Sequence, residues 1–264
     1  MPYAIAVLSD GSALAHQHPT RQAGSVEAVL RHWAALIHEH TGLVTRPVYV
    51  AAQDAEDLSA GLRGLPPDIG VIVLTRTDPT HYSAGNGSAP GGGSEPPVVT
   101  DSAMTAVAAT AALLTTLNRR GLSPERSGVV IAGAATMPVL RPLLLAAGFG
   151  RVTSWDRLDA FTFSLRCITQ DAEAVIDLVG CTRELAEAAS DHPELIIITP
   201  DKTNWALLAL PAVLHAVATA QDPRAGVDRY HACALALAAT TPPDRLLPDP
   251  MEPASTRSER PRSH

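Results

Sequence analysis

Apolar residues recur in two rhythms along this chain. Short, nearly continuous runs at 3–10 (YAIAVLSD), 68–76 (DIGVIVLTR), 128–132 (GVVIA), 174–180 (AVIDLVG) and 194–199 (ELIIIT) predict strands with both faces covered. TRPVYVA at 45–51 and RVTSW at 151–155 predict two more strands. Helical spacing predicts helices over 25–42, 55–65, 102–121, about 137–147, 204–220 and 226–239. Thr100 or Asp101 should cap the 102–121 helix, and Gly121 should close it. The crossover at 157–173 carries no clear period.

Strands alternating with helices define an α/β protein. The expected architecture is a Rossmann-like, doubly wound parallel sheet with a small N-terminal βαβ region. Two compositionally biased stretches divide it. SAGNGSAPGGGSEPP (83–97) reads as a flexible Gly/Ser/Pro loop, and the Pro-rich, charged 241–264 as a disordered tail. The expected units are therefore 1–82, a small N-terminal α/β region, and 98–240, a domain of the NAD(P)-binding type.

Composition narrows the chemistry. A net charge of −7 gives no electrostatic reason to hold nucleic acid or an anionic membrane. Lys202 is the only lysine, so a lysine base must be that residue or none. Cys167, Cys181 and Cys233 are widely spaced and read as small apolar side chains in a reducing compartment. With no signal-peptide pattern at the start and no membrane-length apolar run, the expected location is the cytoplasm.

The segment GVVIAGAATMP at 128–138 is a strand running into a small-residue turn. A dinucleotide turn needs one glycine for the bend, one for close approach of pyrophosphate, and one for helix packing. Gly133 supplies the first, followed by Ala134. Ala135 puts a methyl at the second position, and Pro138 puts a ring at the third while removing an N–H. Asp156 closes the next strand, about 20 residues on, where ribose hydroxyls would be met. Gly133, Ala134, Ala135 and Asp156 are thus the cofactor-binding candidates, in a turn that reads as a vestige.

Other polar groups are weighed the same way. In TPDKTNW (199–205), Lys202 and Asn204 could reach a carboxylate, a phosphate or a nicotinamide amide, or Thr203 or Asn204 could cap the next helix. Asn204 joins the cofactor candidates. His16, His18, His32, His38 and His40 cluster early, but no three or four of them converge in the sequence as a zinc site requires. Ser9, Asp10 and His16 form no nucleophile motif.

The order of motifs resembles the malic enzymes, NAD(P)- and metal-dependent decarboxylases of malate. PPVVTDSAMTAVAATAALLTTLNRRG resembles their segment with paired aspartates followed by Gly-Thr-Ala and a helix. LSPERSGVVIAGAATMPVLRPLLLAAGFGRVTSWD resembles the next one, and ALLALPAVLHAVATAQDPRAGVDRYHACALALA the closing one. AVLSDGSALAHQHP is similar, more loosely, to the family's Thr-Asp-Gly start. The likeness covers most of 3–240 and is strongest over 97–156.

The resemblance implies NAD or NADP, with Mg or Mn held by carboxylates. Asp101 stands at the second paired aspartate, a metal ligand in the family, while Thr100 replaces the first and Met104 the glycine. The family's other two metal carboxylates form a Glu-Asp pair after a strand, but this strand ends VIVLTRTDP. No lysine falls in 25–42, where the resemblance places the catalytic lysine, and the N-terminal segment that carries the family's catalytic tyrosine is expected to have no counterpart. One carboxylate holds a hard divalent cation poorly. The expectation is a malic-enzyme-like protein that has lost malate decarboxylation, acting in binding or regulation, with a homodimer as one route. The alternatives are an NAD(P)-dependent oxidoreductase with an altered substrate, and a module binding a small organic acid without cofactor.

Overall fold

The computed structural model describes residues 4–13, 23–82, 96–218 and 226–247. The first sheet is built from β1 (Ala4–Ser9), β2 (Thr45–Tyr49), β3 (Ile69–Leu74) and β4 (Val98–Thr100). All its pairings are parallel and the spatial order is β2-β1-β3-β4. Its crossovers include α1 (Ala23–Thr41) and α2 (Ala55–Arg63).

The second sheet contains β5 (Gly128–Ala132), β6 (Arg151–Trp155), β7 (Ala174–Asp177) and β8 (Ile196–Ile198). It is also parallel, in the order β6-β5-β7-β8. Between and around the sheets lie α3 (Asp101–Arg119), α4 (Leu140–Ala146), α5 (Leu165–Ile168), α6 (Thr182–Asp191), α7 (Lys202–Ala218) and α8 (Val227–Thr240). This is the α/β, Rossmann-like architecture that the apolar runs predict.

Why the strands read as continuous runs follows from the period-two alternation of side chains. Ile5, Val7, Val71 and Val73 of the first sheet enter one core with Val129, Ile131, Ala174 and Ile176 of the second. Ala4, Ala6, Leu8, Ile72 and Leu74 face the other way, onto Leu58 and Leu62 of α2. In the second sheet Val130, Ala132 and Val175 pack on Leu185 and Ala188 of α6. The inner strands β1, β3, β5 and β7 are covered on both faces, whereas β2 and β6 at the sheet edges are largely exposed.

The shared core is organised by α3. Every residue from Ala103 to Leu113 is buried, and alanines dominate that stretch. Short side chains let α3 pack closely against α7 and α8, whose Ala206, Leu210, Tyr230 and Ala234 belong to the same cluster. Thr100 caps α3 by accepting from the Ala103 amide at 3.1 Å, and Gly121 follows its end in the left-handed conformation (φ 69°).

The structure differs from the sequence expectation in four places. Residues 98–100 pair with β3, so the segment expected to open the second unit completes the first sheet. The 182–191 stretch is a helix, although it buries only Leu185 and Ala188 and therefore shows almost no apolar rhythm. The helix expected from about 137 begins at Leu140, after a short 3-10 turn at Ala134–Thr136. Residues 241–247, expected to be tail, lie on the body: Leu247 is buried in the shared core, and Arg119 Nη2 donates to the carbonyls of Pro242 (2.7 Å) and Arg245. The 83–95 part of the expected loop and the remaining tail, 248–264, lie outside the described residues. Among the described residues no helix is long and apolar enough to cross a membrane.

Candidate functional site

The carboxyl ends of β1, β3, β4 and β5 open onto one cleft of about 380 Å³. In parallel α/β sheets this edge is where ligands bind, because chain direction changes there and loop side chains converge. The cleft is lined by Arg76 to Thr80 after β3, by Asp101, Ser102 and Thr105 at the start of α3, and by Ala135 to Met137 after β5, with Trp33 and Ala13 also contributing.

Asp101, the candidate metal ligand, opens α3, where a carboxylate suits the positive end of the helix dipole. One of its oxygens, Oδ2, accepts from the Thr75 hydroxyl at 2.9 Å and from the Arg76 amide at 3.0 Å. Arg76 is the only non-glycine residue with positive φ (54°) among the described residues. Such a conformation is uncommon for a side-chain-bearing residue, and here it turns the amide toward Asp101.

A second network fixes the loop that forms the cleft's rim. Asp10 has a fully buried side chain, and its Oδ2 lies 2.7 Å from His81 Nδ1. Its Oδ1 accepts from the Ser12 amide (3.0 Å) and hydroxyl (2.7 Å). Ser12 Oγ in turn accepts from the Asp78 amide at 2.7 Å, and Asp78 Oδ1 takes the Thr80 amide and hydroxyl. Tyr82 follows, with its phenol pushed up to about 12 by burial. The ends of β1 and β3 are thereby tied together through side chains.

A divalent cation needs several oxygen acceptors around one point. The resemblance implies a Glu-Asp pair after this strand, but the strand ends VIVLTRTDP, and Thr75 and Arg76 there both donate to Asp101. An arginine and two hydrogen-bond donors do not fit a cation. Among the described residues no group of three His, Cys, Asp or Glu side chains could hold a metal. His16 and His18 lie outside the described residues, and the His38 ring sits 2.8 Å from the Leu43 carbonyl.

The turn after β5 keeps its bend, and its later amides are already engaged. Gly133 is left-handed (φ 84°), and a Cβ there would stand 2.3 Å from Val179 Cγ1. The amides of Thr136 and Met137 are taken by the carbonyls of Gly133 (3.0 Å) and Ala134 (3.1 Å) within the 3-10 turn. Pro138 has no amide hydrogen, and α4, seven residues long, starts two residues later. The exposed Ala135 lines the cleft where a pyrophosphate would come closest. The turn thus carries a 3-10 segment where a dinucleotide turn would run directly into a helix N-terminus.

The remaining candidates do not converge on the cleft. Asp156 follows β6, and its amide donates to Asp159 Oδ2 at 2.8 Å. Asn204 lies in the first turn of α7, where its side chain donates to Asp201 Oδ2 at 2.8 Å and its amide to Asp201 Oδ1 at 3.2 Å. Of the sequence candidates, Asp101 and Ala135 line the cleft, while Gly133 supports it from behind. Thr75, Arg76, Asp78, Thr80 and His81 were not singled out. Their signal is the polar run TRTDPTH, which follows a strand with no intervening helix.

Together these features define a two-sheet α/β protein with a Rossmann-like second half and a cleft between its sheets. Its fold is that of the malic enzymes. The NAD-dependent malic enzyme from Thermotoga maritima is similar at a TM-score of 0.73 and 20% identity, over 95% of this chain and 81% of that one. The malic enzyme from Pyrococcus horikoshii has a TM-score of 0.74 at 16% identity, over 95% and 73%. That from Entamoeba histolytica has 0.76 at 16%, over 95% and 66%. No family model and no curated protein matches the chain by sequence. At such identities the likeness is one of fold, and the site has to be read from its own residues.

Proposed function

We propose that this protein is a metal-independent binding or regulatory member of the malic-enzyme fold, without malate-decarboxylating activity. The carrying observation is the pair of donors, Thr75 Oγ1 and the Arg76 amide, on the Asp101 carboxylate. They supply hydrogens where a cation would need oxygen acceptors. Of the family's three metal carboxylates only Asp101 is matched in the sequence, and no lysine falls in 25–42, where the resemblance places the base. General acid–base groups each contribute about 10²- to 10⁴-fold to a rate, so losing the family's lysine and two of its carboxylates leaves little means of catalysing this reaction.

The test is a spectrophotometric assay with malate, NAD or NADP, and Mn²⁺ or Mg²⁺. No malate-dependent formation of reduced nicotinamide is expected. A metal-dependent signal that disappears in Asp101→Ala overturns the proposal.

A second reading, an NAD(P)-dependent oxidoreductase with an altered substrate, draws support from the preserved left-handed bend at Gly133. Calorimetric titration with NAD and NADP separates the two readings, since micromolar binding to the unaltered protein favours the second. A regulatory role, as a homodimer or with another partner, has an apolar surface available in Leu158, Phe161 and Phe163, all exposed after β6. We place this activity in the cytoplasm.

A further inference from the structure

We infer that this protein self-associates through the open edge of its second sheet. β6 of one copy pairs antiparallel with β6 of another, and the loop at 158–163 seals the contact. This rests on the binding or regulatory reading above and names the partner, a second copy of this chain.

The first observation is a sheet edge without a blunting device. Among the described strands the sheets end at β2, β4, β6 and β8. Short strands, proline and charge are what normally keep such edges from pairing with another chain. β4 and β8 are three residues long. β2 carries Pro47 in its middle, next to Arg46, which pairs with Asp68 at 2.6 Å. β6 has five residues, no proline, and its only charge at the first position, Arg151. The Trp155 carbonyl accepts from the Gly133 amide at 2.8 Å, so Trp155 and, in phase with it, Thr153 face β5. Val152 and Ser154 therefore turn their N–H and C=O groups outward.

A two-fold axis at Thr153 satisfies these groups. Val152 then lies opposite Ser154 of the partner subunit, a pair that exchanges two hydrogen bonds, and symmetry repeats it. Thr153 meets its own copy at the close, non-hydrogen-bonded position, where paired threonines are favourable. Arg151 comes near Asp156 of the partner subunit, an attraction made twice. Residues 151–166 carry three arginines and two aspartates, a net +1 in a chain of −7. Two copies thus meet here without the repulsion that an acidic surface imposes elsewhere.

The second observation is the loop that follows β6. Of the chain's three phenylalanines, Phe149 is buried, while Phe161 (92% exposed) and Phe163 (57%) stand on this one loop with Leu158 (81%). The loop is already fixed: Trp155 Nε1 donates to the Phe163 carbonyl at 2.9 Å, the Phe163 amide to the Asp159 carbonyl at 2.7 Å, and the Asp156 amide to Asp159 Oδ2. Little ordering entropy is lost when such a loop docks. Aromatic side chains bury about 150–250 Å² each, so the three residues bring roughly 350–500 Å² per copy. With the strand edge this reaches about 600 Å² per partner, the lower end for a specific interface. Association should therefore follow protein concentration.

The experiment is sedimentation velocity on the full chain over about 1–200 µM, a range suited to a small interface. Reductant keeps the exposed Cys167 from cross-linking copies. A reversible monomer–dimer equilibrium is expected, and the Val152 and Ser154 amides should exchange hydrogen more slowly in concentrated than in dilute protein. Leu158→Ser/Phe161→Ser changes exposed side chains and should weaken the dimer by at least about tenfold. Ser154→Pro removes an outward donor, which an edge strand tolerates, and should do the same. Circular dichroism checks both variants, and if Ser154→Pro does not fold, hydrogen exchange on the parent carries the test of strand pairing.

A monomer at every concentration overturns the inference and assigns the loop to a different protein. A dimer left unweakened in Leu158→Ser/Phe161→Ser overturns it too, as does one whose Val152 and Ser154 amides exchange as in the monomer. The proposed function stands through all of these outcomes, because that reading fails only on malate-dependent turnover.

Discussion

A Cβ added to Gly133 would stand 2.3 Å from Cγ1 of Val179, closer than two carbon atoms can approach. The bend that ends β5 is therefore held both by its left-handed backbone (φ 84°) and by a neighbour from the loop after β7. Gly133→Ala should destabilise the protein by about 2–4 kcal/mol, combining left-handed strain with overpacking. Urea denaturation measures this. Trimming the neighbour in Gly133→Ala/Val179→Ala should recover the packing part and leave the backbone part. A single substitution within about 0.5 kcal/mol of the parent would show that the turn rearranges freely.

The Asp10–His81 contact predicts an unequal pair of effects. Asp10→Ala removes the acceptor shared by the Ser12 amide and hydroxyl as well as the partner of the His81 ring. It should cost about 2–4 kcal/mol, since hydrogen bonds to a buried charge are worth about 1.5–3 kcal/mol each and are not additive. His81→Ala removes one partner, and Asp10 keeps both Ser12 donors, so the loss should be smaller. Equal losses in the two variants would mean that Ser12 contributes nothing to the network.

Residues 241–247 should matter to stability. Ending the chain after Thr240 exposes the space filled by Leu247 and removes two carbonyls bound by Arg119. Burying a leucine is worth about 1.5–3 kcal/mol, so the melting temperature should fall by several degrees. Ending the chain after Leu247 instead serves as the control. Identical melting temperatures for the two truncations would show that the 241–247 contacts are energetically empty.

Alkaline pH should weaken the fold through Tyr82. Burial raises its folded pKa to about 12, against about 10 for an exposed phenol. The folded state thus holds its proton more tightly than the unfolded chain. The contribution is fully present below pH of about 10 and disappears as pH rises toward about 12. Burial raises the Tyr230 phenol as well, so it acts in the same direction. Tyr82→Phe should flatten the stability profile in that window by at most about 2–3 kcal/mol, read by urea denaturation at stepped pH. An unchanged slope would mean that Tyr82 does not titrate differently on folding.

Much of this protein was determined by its sequence alone. β1, β3, β5 and β7 are apolar runs flanked by polar residues, and strands covered on both faces can look no other way. The long α3 and its Thr100 cap are likewise local, resting on spacing and one hydroxyl. α6 was not legible, because a surface helix that buries only two small or branched side chains leaves no apolar period to detect.

What only the tertiary structure decided is which polar groups meet. Asp101 could be read as an acid at a helix start, but its partners Thr75 and Arg76 come from a strand end 26 and 25 residues earlier. Asp10 and His81 are 71 residues apart, brought together because β1 and β3 are neighbours in one sheet. The membership of 98–100 in that sheet, and the docking of Leu247 in the shared core, are also long-range facts. Apolar periodicity is written within a few residues of itself and survives as a local signal. A cleft depends on strand order, and strand order is settled by packing two sheets and their helices into one dry core.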